Sequence, residues 1–217
     1  RDDHRMTQKL VIVGAGGHGK VVADCLRAAG KTVTGFVDND PTRHGERIMG
    51  ISVLGSDTEL DNLARDDVYL LNGIGSTGPT DSRRAVFDRL CGMGFIFTDA
   101  IHPSAVIAEG VNYGQGIQIL ANTVINPDCQ IGINVVINTR AGIDHDCRLG
   151  DHVHIAPGAT LSGDVEVGDG AHIGTGASVR NGVTIGARAT VGVGAAVIDD
   201  VVAEARVAGV PAKEMLT

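Results

Sequence analysis

The chain reads as two units of different grammar: a small α/β unit with a parallel sheet, then a parallel β-helix. Three observations predict this. From Ile101 to Val197 an apolar residue recurs at every sixth position with no insertion. Before Ala100, short apolar runs alternate with helically spaced ones. Glycine accounts for 31 of 217 residues and aromatics for only 3%. An interior without large rings must be narrow, filled by aliphatic side chains and closed by tight glycine turns.

Composition excludes several classes. With 43% hydrophobic and 20% charged residues the chain is not disordered. A net charge of −8 leaves no basic excess for a nucleic-acid binder or for a protein held on anionic lipid. No apolar run approaches the roughly 18 residues that span a bilayer. No signal-peptide pattern is visible, and residues 1–6 read as a cloning remnant. The four cysteines are scattered without a Cys-x-x-Cys pair, which points to reduced thiols and a cytoplasmic protein.

The first unit, residues 7–100, reads in order. Lys9–Val13 is a buried strand. Gly14–Gly19 is a glycine loop. Lys20–Ala29 carries Val21, Val22, Cys25, Leu26 and Ala29 at helical spacing and is closed by Gly30. Thr32–Val37 is a second strand ending at Asp38, and residues 39–55 form a loop. Ser56 caps a helix to Ala64. Val68–Leu71 is a third strand, Thr80–Cys91 a helix and Phe95–Thr98 a fourth strand. Strand alternating with helix implies a parallel sheet with right-handed crossovers.

The second unit, residues 101–217, is governed by its period. The first slot of the hexad runs Ile101, Ile107, Tyr113, Ile119 and so on for 17 hexads, sixteen aliphatic and one Tyr. The fifth slot is small or apolar, from Ala105 through Cys129 and Cys147 to Val201. A period of six fits neither an α-helix nor a flat strand. It fits a short strand and a turn, repeated, with slots one and five facing inward. Three hexads per coil give between five and six coils.

Two motifs carry chemistry. Gly14-Ala15-Gly16-Gly17-His18-Gly19 matches G-x-G-x-x-G between a strand and a helix, where backbone N–H groups approach phosphate oxygens. Asp38 ends the next strand, where a carboxylate reaches a ribose or base. This is a Rossmann-like fingerprint, but four strands make half of a dinucleotide fold, which favours one nucleotide diphosphate over NAD. The second motif is Asp144-His145-Asp146. His145 occupies an outward slot, and an imidazole beside a carboxylate is a natural general base. His152, His154 and His172 are outward by the same count. His154 and His172 lie one coil apart and should stack on one edge. Their spacings do not match zinc-hydratase patterns, so no metal is expected. Cys147 falls on an inward slot and reads as core rather than nucleophile.

These residues resemble a known family. The Gly14–Gly19 loop, Phe36-Val37-Asp38, Asn72-Gly73-Ile74-Gly75, His102-Pro103-Ser104-Ala105, Ile143-Asp144-His145-Asp146-Cys147, the segment from Val153 to Ala159 and Gly209-Val210-Pro211-Ala212-Lys213 are similar to NeuD/PglD-type sugar O-/N-acyltransferases. The resemblance implies a left-handed β-helix, a homotrimer, and acetyl-CoA lying between neighbouring helices. It implies a nucleotide-linked amino sugar on the N-terminal domain. In the N-acetylating branch the acceptor is the amine of a 4-amino-4,6-dideoxy sugar on a nucleotide diphosphate. By motif match His145 is the general base, supported by Asp146. His154, Gly163, Thr175 and Lys213 fall at acetyl-CoA. Gly16, Gly17 and His18 fall at the sugar-nucleotide phosphates, Asp38 and Asn39 at the base or ribose, and Gly75 at the border of the nucleotide. Three other readings remain open: O-acetylation of a sialic acid or related sugar, an NAD enzyme on a structural β-helix, and a non-catalytic trimeric scaffold. The nucleotide (UDP, GDP or dTDP) is left open.

Overall fold

The computed structural model describes residues 9–63 and 65–215. Residues 1–6, the expected remnant, and Ala64, the predicted end of one helix, lie outside them. In the N-terminal unit the elements are β1 (Lys9–Val13), α1 (Gly17–Ala28), β2 (Val33–Val37), β3 (Arg47–Ile48), β4 (Ile51–Ser52), β5 (Val68–Asn72), α2 (Asp81–Gly92) and β6 (Ile96–Phe97). The parallel sheet has the order β2-β1-β5-β6. The chain leaves β1 toward β2 on one side and returns as β5 on the other, so a crevice opens beyond the carboxyl ends of β1 and β5.

Some boundaries depart from expectation. α1 starts at Gly17, not Lys20, so Gly17 and Gly19 lie inside its first turn. Gly19 is required there: a Cβ on it would stand 2.2 Å from the Gly14 carbonyl oxygen. The helix expected from Ser56 is a 3-10 turn over Asp57–Asn62. Its one buried side chain, Leu60, cannot anchor a longer amphipathic helix. The loop after Asn39 contains the β3/β4 hairpin.

From Ala100 the chain winds into a left-handed parallel β-helix of about six turns. Two-residue strands pair with strands 18 residues on, as in Ile119 with Ile137 and Ile137 with Ile155. Three strands therefore make one coil, stacked in parallel ladders about 4.8 Å apart. Slots one and five form the interior, which is closed to solvent from Ile117 onward. Tyr113 is the exception: it is 41% exposed and is not among the residues of the interior cluster. Every fourth slot from Gly110 to Gly194 has positive φ, and Gly, Asn or Asp fills most of these corners. These are the residues that tolerate the left-handed region, so the corner sets the composition.

The prism has three faces. Face I is the eight-stranded sheet that begins at Ala100–Ile101 and ends with Lys213–Glu214. Face II runs from Val106–Ile107 to Ala196–Val197, and face III from Asn112–Tyr113 to Thr184–Ile185. The outward strand residues of face III include Gln130, Arg148 and Glu166, while those of face II are uncharged (Val106, Val124, Gly142, Thr160, Ser178) and are followed by Asp144 and Arg180 on the same face. The N-terminal unit covers face I. There Ala100, Leu120 and Val136 join Ile12, Val22 and Leu26 in one apolar cluster. His154 and His172 point away from the coil, as expected, but lie on this covered face rather than on an edge, and both are buried. Burial comes from the N-terminal unit, which the repeat alone cannot show.

Candidate active site

The glycine loop joins the first turn of α1 to the crevice. Gly16 is the N-cap, no side chain caps the helix and its first turn holds no acidic residue. Its free N–H groups and the positive end of its dipole suit an anion. An added Cβ at Gly16 or Gly17 would meet nothing within 4 Å, so both face open space. Gly14 and Gly73 are different. A Cβ on Gly73 would lie 2.4 Å from the Gly14 carbonyl oxygen, so the loops after β1 and β5 touch through their backbones.

Asp38 supports this loop. Its Oδ2 accepts from Ala15 N at 2.7 Å and its Oδ1 from Asp40 N at 2.9 Å. Asn39 exchanges two hydrogen bonds with Asp57: Asp57 N donates to its Oδ1, and its Nδ2 donates to Asp57 Oδ2, both at 3.2 Å. Arg89 forms an ion pair with Asp57. A cavity of about 120 Å³ opens beside them.

A larger cavity, about 610 Å³, lies where the N-terminal unit meets the corner between faces I and II. His18, Gly75, Ser76, His154, His172 and Thr175 line it. Its hydrogen bonds fix two tautomers. Asn138 Oδ1 accepts from Thr139 N at 2.8 Å, which turns its Nδ2 toward His154 Nε2 at 3.2 Å. Nε2 is thus an acceptor, and Nδ1–H donates to Ser76 Oγ at 2.6 Å. Similarly, Gln118 Nε2 donates to Asn72 O at 2.7 Å, so Gln118 Oε1 accepts from His18 Nε2–H at 2.7 Å. Burial holds His154 well below the ordinary histidine value, with the neighbouring His172 adding to the effect. Burial and the charge of Arg83 lower His18 to about 4. The cavity is therefore lined by neutral imidazoles, and the Nε2 lone pair of His154 is already used.

Arg83 ties this junction together. It is fully buried, and its guanidinium donates to the carbonyls of Asn72 and Ile74 and to Asn134 Oδ1, at 3.2, 2.9 and 2.9 Å. It so fixes the loop after β5 to a coil corner. Sequence reasoning passed over Arg83, Gln118, Ser76 and Asn138. The only signal was faint: face I carries Ala, Gln, Val, His, His and Thr outward, a less charged series than face III.

His145 stands apart, at the corner from face II to face III, with its side chain 58% exposed. Nδ1–H donates to Asp146 Oδ2 at 2.8 Å, leaving the Nε2 lone pair to take a proton. Asp146 sits at φ 62°, a corner geometry that Asp tolerates. The hydrogen bond to Asp146, with help from the charge of Asp144, raises the basicity of His145. Asn126 in turn donates to Asp144 at 2.7 Å. Gly163 lies beneath the ring, where a Cβ would come within 2.5 Å of His145 Cε1. Cys147 is wholly buried, and the adjacent Cys129 thiol, with burial, pushes its thiol up, away from the reactive thiolate. Lys213 lies on the last strand of face I, outside the residues lining the junction cavity. Among the described residues no group of three or more His, Cys, Asp or Glu is placed to hold a metal ion, and no helix is long and apolar enough to cross a membrane.

Within one chain, then, His145 and the junction cavity lie on opposite edges of face II. Known proteins share this fold. The PglD N-terminal domain matches residues 9–90 and the bacterial transferase hexapeptide repeat matches residues 128–163. A GDP-perosamine N-acetyltransferase from Caulobacter crescentus, solved as a histidine mutant with CoA and GDP-perosamine, is 41% identical, with a TM-score of 0.90 over 96% of this chain and 97% of that one. The acetyltransferase domain of PglB from Neisseria gonorrhoeae FA1090, solved with acetyl coenzyme A, is 36% identical, with a TM-score of 0.88 over 96% of this chain and all of that one. A UDP-N-acetylbacillosamine N-acetyltransferase of Bacillus subtilis (strain 168) is 38% identical over 117 residues, about half the length of each protein. With a fold and sequence shared end to end with such enzymes, the chain belongs to the PglD-type family of hexapeptide-repeat sugar acyltransferases.

Proposed function

We propose that the chain is an acetyl-CoA-dependent N-acetyltransferase acting on the 4-amino group of a nucleotide-diphosphate-linked 4-amino-4,6-dideoxy sugar, working as a cytoplasmic homotrimer. The observation that carries this reading is the separation of a base from a ligand cavity. His145 and Asp146 form a general-base pair on one edge of face II, and the 610 Å³ cavity opens on the other. Packing three prisms around an axis, with face II inside, brings the His145 edge of one chain to the cavity edge of the next. The relatives support the ligands: the Caulobacter enzyme holds CoA with GDP-perosamine, and the Neisseria domain holds acetyl coenzyme A.

In this reading residues 7–100 hold the sugar nucleotide, with its diphosphate on Gly16, Gly17 and the first turn of α1, next to His18. Asp38 keeps that loop in shape, while Asn39 and Gly75 border the nucleotide. The coils of residues 101–217 carry acetyl-CoA, near His154, Gly163 and Thr175, with Lys213 as a point charge for a CoA phosphate. His145 Nε2 removes the amine proton as nitrogen attacks the thioester carbonyl. The C–N bond forms, the C–S bond breaks, and the thiolate takes the proton back. A backbone N–H of the glycine-rich coils stabilises the oxyanion. Transfer is direct, because the inward Cys147 offers no acyl-enzyme. Mass spectrometry of mixtures with acetyl-CoA and amino-sugar nucleotides should show a single acetyl addition, with hydroxy-sugar nucleotides unchanged. His145→Ala should lower kcat about 10²–10⁴-fold. A variant with near wild-type turnover would refute the role of His145.

A further inference from the structure

We propose that the small cavity at the carboxyl ends of β1 and β2 is a guanine slot read by Asp57, so that the nucleotide diphosphate of this protein is GDP. The inference rests on the sugar-nucleotide reading above and names its nucleotide. The slot is lined by the apolar residues Val13, Gly14, Val37, Ile74 and Val86. An apolar lining suits a flat heteroaromatic ring. The polar groups are gathered at one end, on Asp38, Asn39 and Asp57.

The hydrogen bonds already made decide what that end can read. Asp38 has both carboxylate oxygens engaged by backbone N–H groups. Asn39 has its amide oxygen and nitrogen engaged by Asp57. Asp57 Oδ2 receives Asn39 and Arg89, which hold the carboxylate in place. Asp57 Oδ1 has no partner among the described residues, although the side chain is only 15% exposed. The slot therefore offers a fixed, anionic acceptor at Asp57 Oδ1, with the second N–H of Asn39 Nδ2 as the one uncommitted donor of these three side chains.

Bases differ in what they present to such an edge. Guanine offers two adjacent N–H donors, at N1 and at its exocyclic N2 amino group. Uracil and thymine offer one N–H flanked by two carbonyl oxygens, so a carboxylate that meets the N–H also meets an oxygen. Adenine and cytosine set a single amino group beside a bare ring nitrogen. Charge-assisted bonds from two parallel donors to a carboxylate are the strongest of these options. A carboxylate that rejects the flanking carbonyls also selects by repulsion.

Calorimetric titration of the full chain with GDP, UDP and dTDP tests this. GDP should bind at least about tenfold tighter than either pyrimidine nucleotide, a margin in line with one charge-assisted hydrogen bond. Asp57→Asn should weaken GDP about 10–100-fold and leave UDP unchanged or tighter, because an amide can donate to a uracil carbonyl. Unaltered acetyl-CoA binding by that variant shows that its β-helix is intact. Equal or tighter UDP binding by the parent chain overturns the proposal, as does an equal loss of all three nucleotides in Asp57→Asn. Absence of any nucleotide binding overturns the sugar-nucleotide reading and this one with it. A GDP preference without acetyl transfer supports the slot and refutes the reaction.

Discussion

The imidazole of His145 occupies the space that a side chain at residue 163 would need: a Cβ there would stand 2.5 Å from Cε1 and 2.6 Å from Nε2. One coil separates the two residues, so the hexad register itself places an empty glycine beneath the ring. Gly163 has no left-handed φ, so alanine is tolerated by the backbone and collides only with the ring.

Gly163→Ala should therefore keep the thermal midpoint near that of the parent and lower kcat. A ring displaced by about 1 Å loses on the order of 10²-fold in rate. Steady-state kinetics with a melting curve separates this from a folding defect. Full activity would mean that the ring position does not matter.

The His145–Asp146 hydrogen bond raises the basicity of His145. The reaction needs the neutral imidazole, so the acidic limb of the kcat/KM profile should lie above the ordinary histidine value of 6.5. In Asp146→Asn that limb should move to lower pH. Asn is well suited to the positive φ at this corner, so the fold should be unaffected. A limb that stays in place in the variant would separate Asp146 from the base.

If base and cavity come from different chains, two inactive variants should rescue each other. Mixed trimers of His145→Ala and His154→Ala chains, formed by refolding together, should regain up to about one quarter of the sites in a random cyclic assembly. Equal mixtures of the separately folded variants serve as the control. No regain on mixing would place both groups in one chain.

Burial lowers the proton affinity of His18, His154 and His172 in the folded protein. The unfolded chain then binds more protons, so stability rises with pH. It should be fully present above about 6.5 and lost as pH falls below it, toward the folded value of about 4 at His18. The His18 shift alone corresponds to about 3 kcal/mol at most. Thermal midpoints measured from pH 7.5 to 4 should fall, and the fall should be shallower in His18→Gln. A midpoint that rises on acidification would contradict neutral burial.

Much of the molecule is legible in its residues. The ladder from Ile101 to Val197 dictates the prism because slots one and five must be filled and the fourth must turn. Gly14–Gly19 is legible as a glycine loop because it sits between strand and helix. The outward direction of His145 follows from its slot, and it stays exposed because no other described residue covers that corner. What the repeat could not show is which of three equivalent faces the N-terminal unit covers. Every face has the same period, and the choice rests on contacts between residues far apart in the chain, such as Gln118 with His18 and Arg83 with Asn134. That docking turned His154 and His172 from surface residues into neutral, buried walls of a cavity. It also left His145 on the far edge of face II. Local pattern determines a solenoid because each coil meets only its neighbours; the site had to await the tertiary structure because it is made where two units with different periods meet.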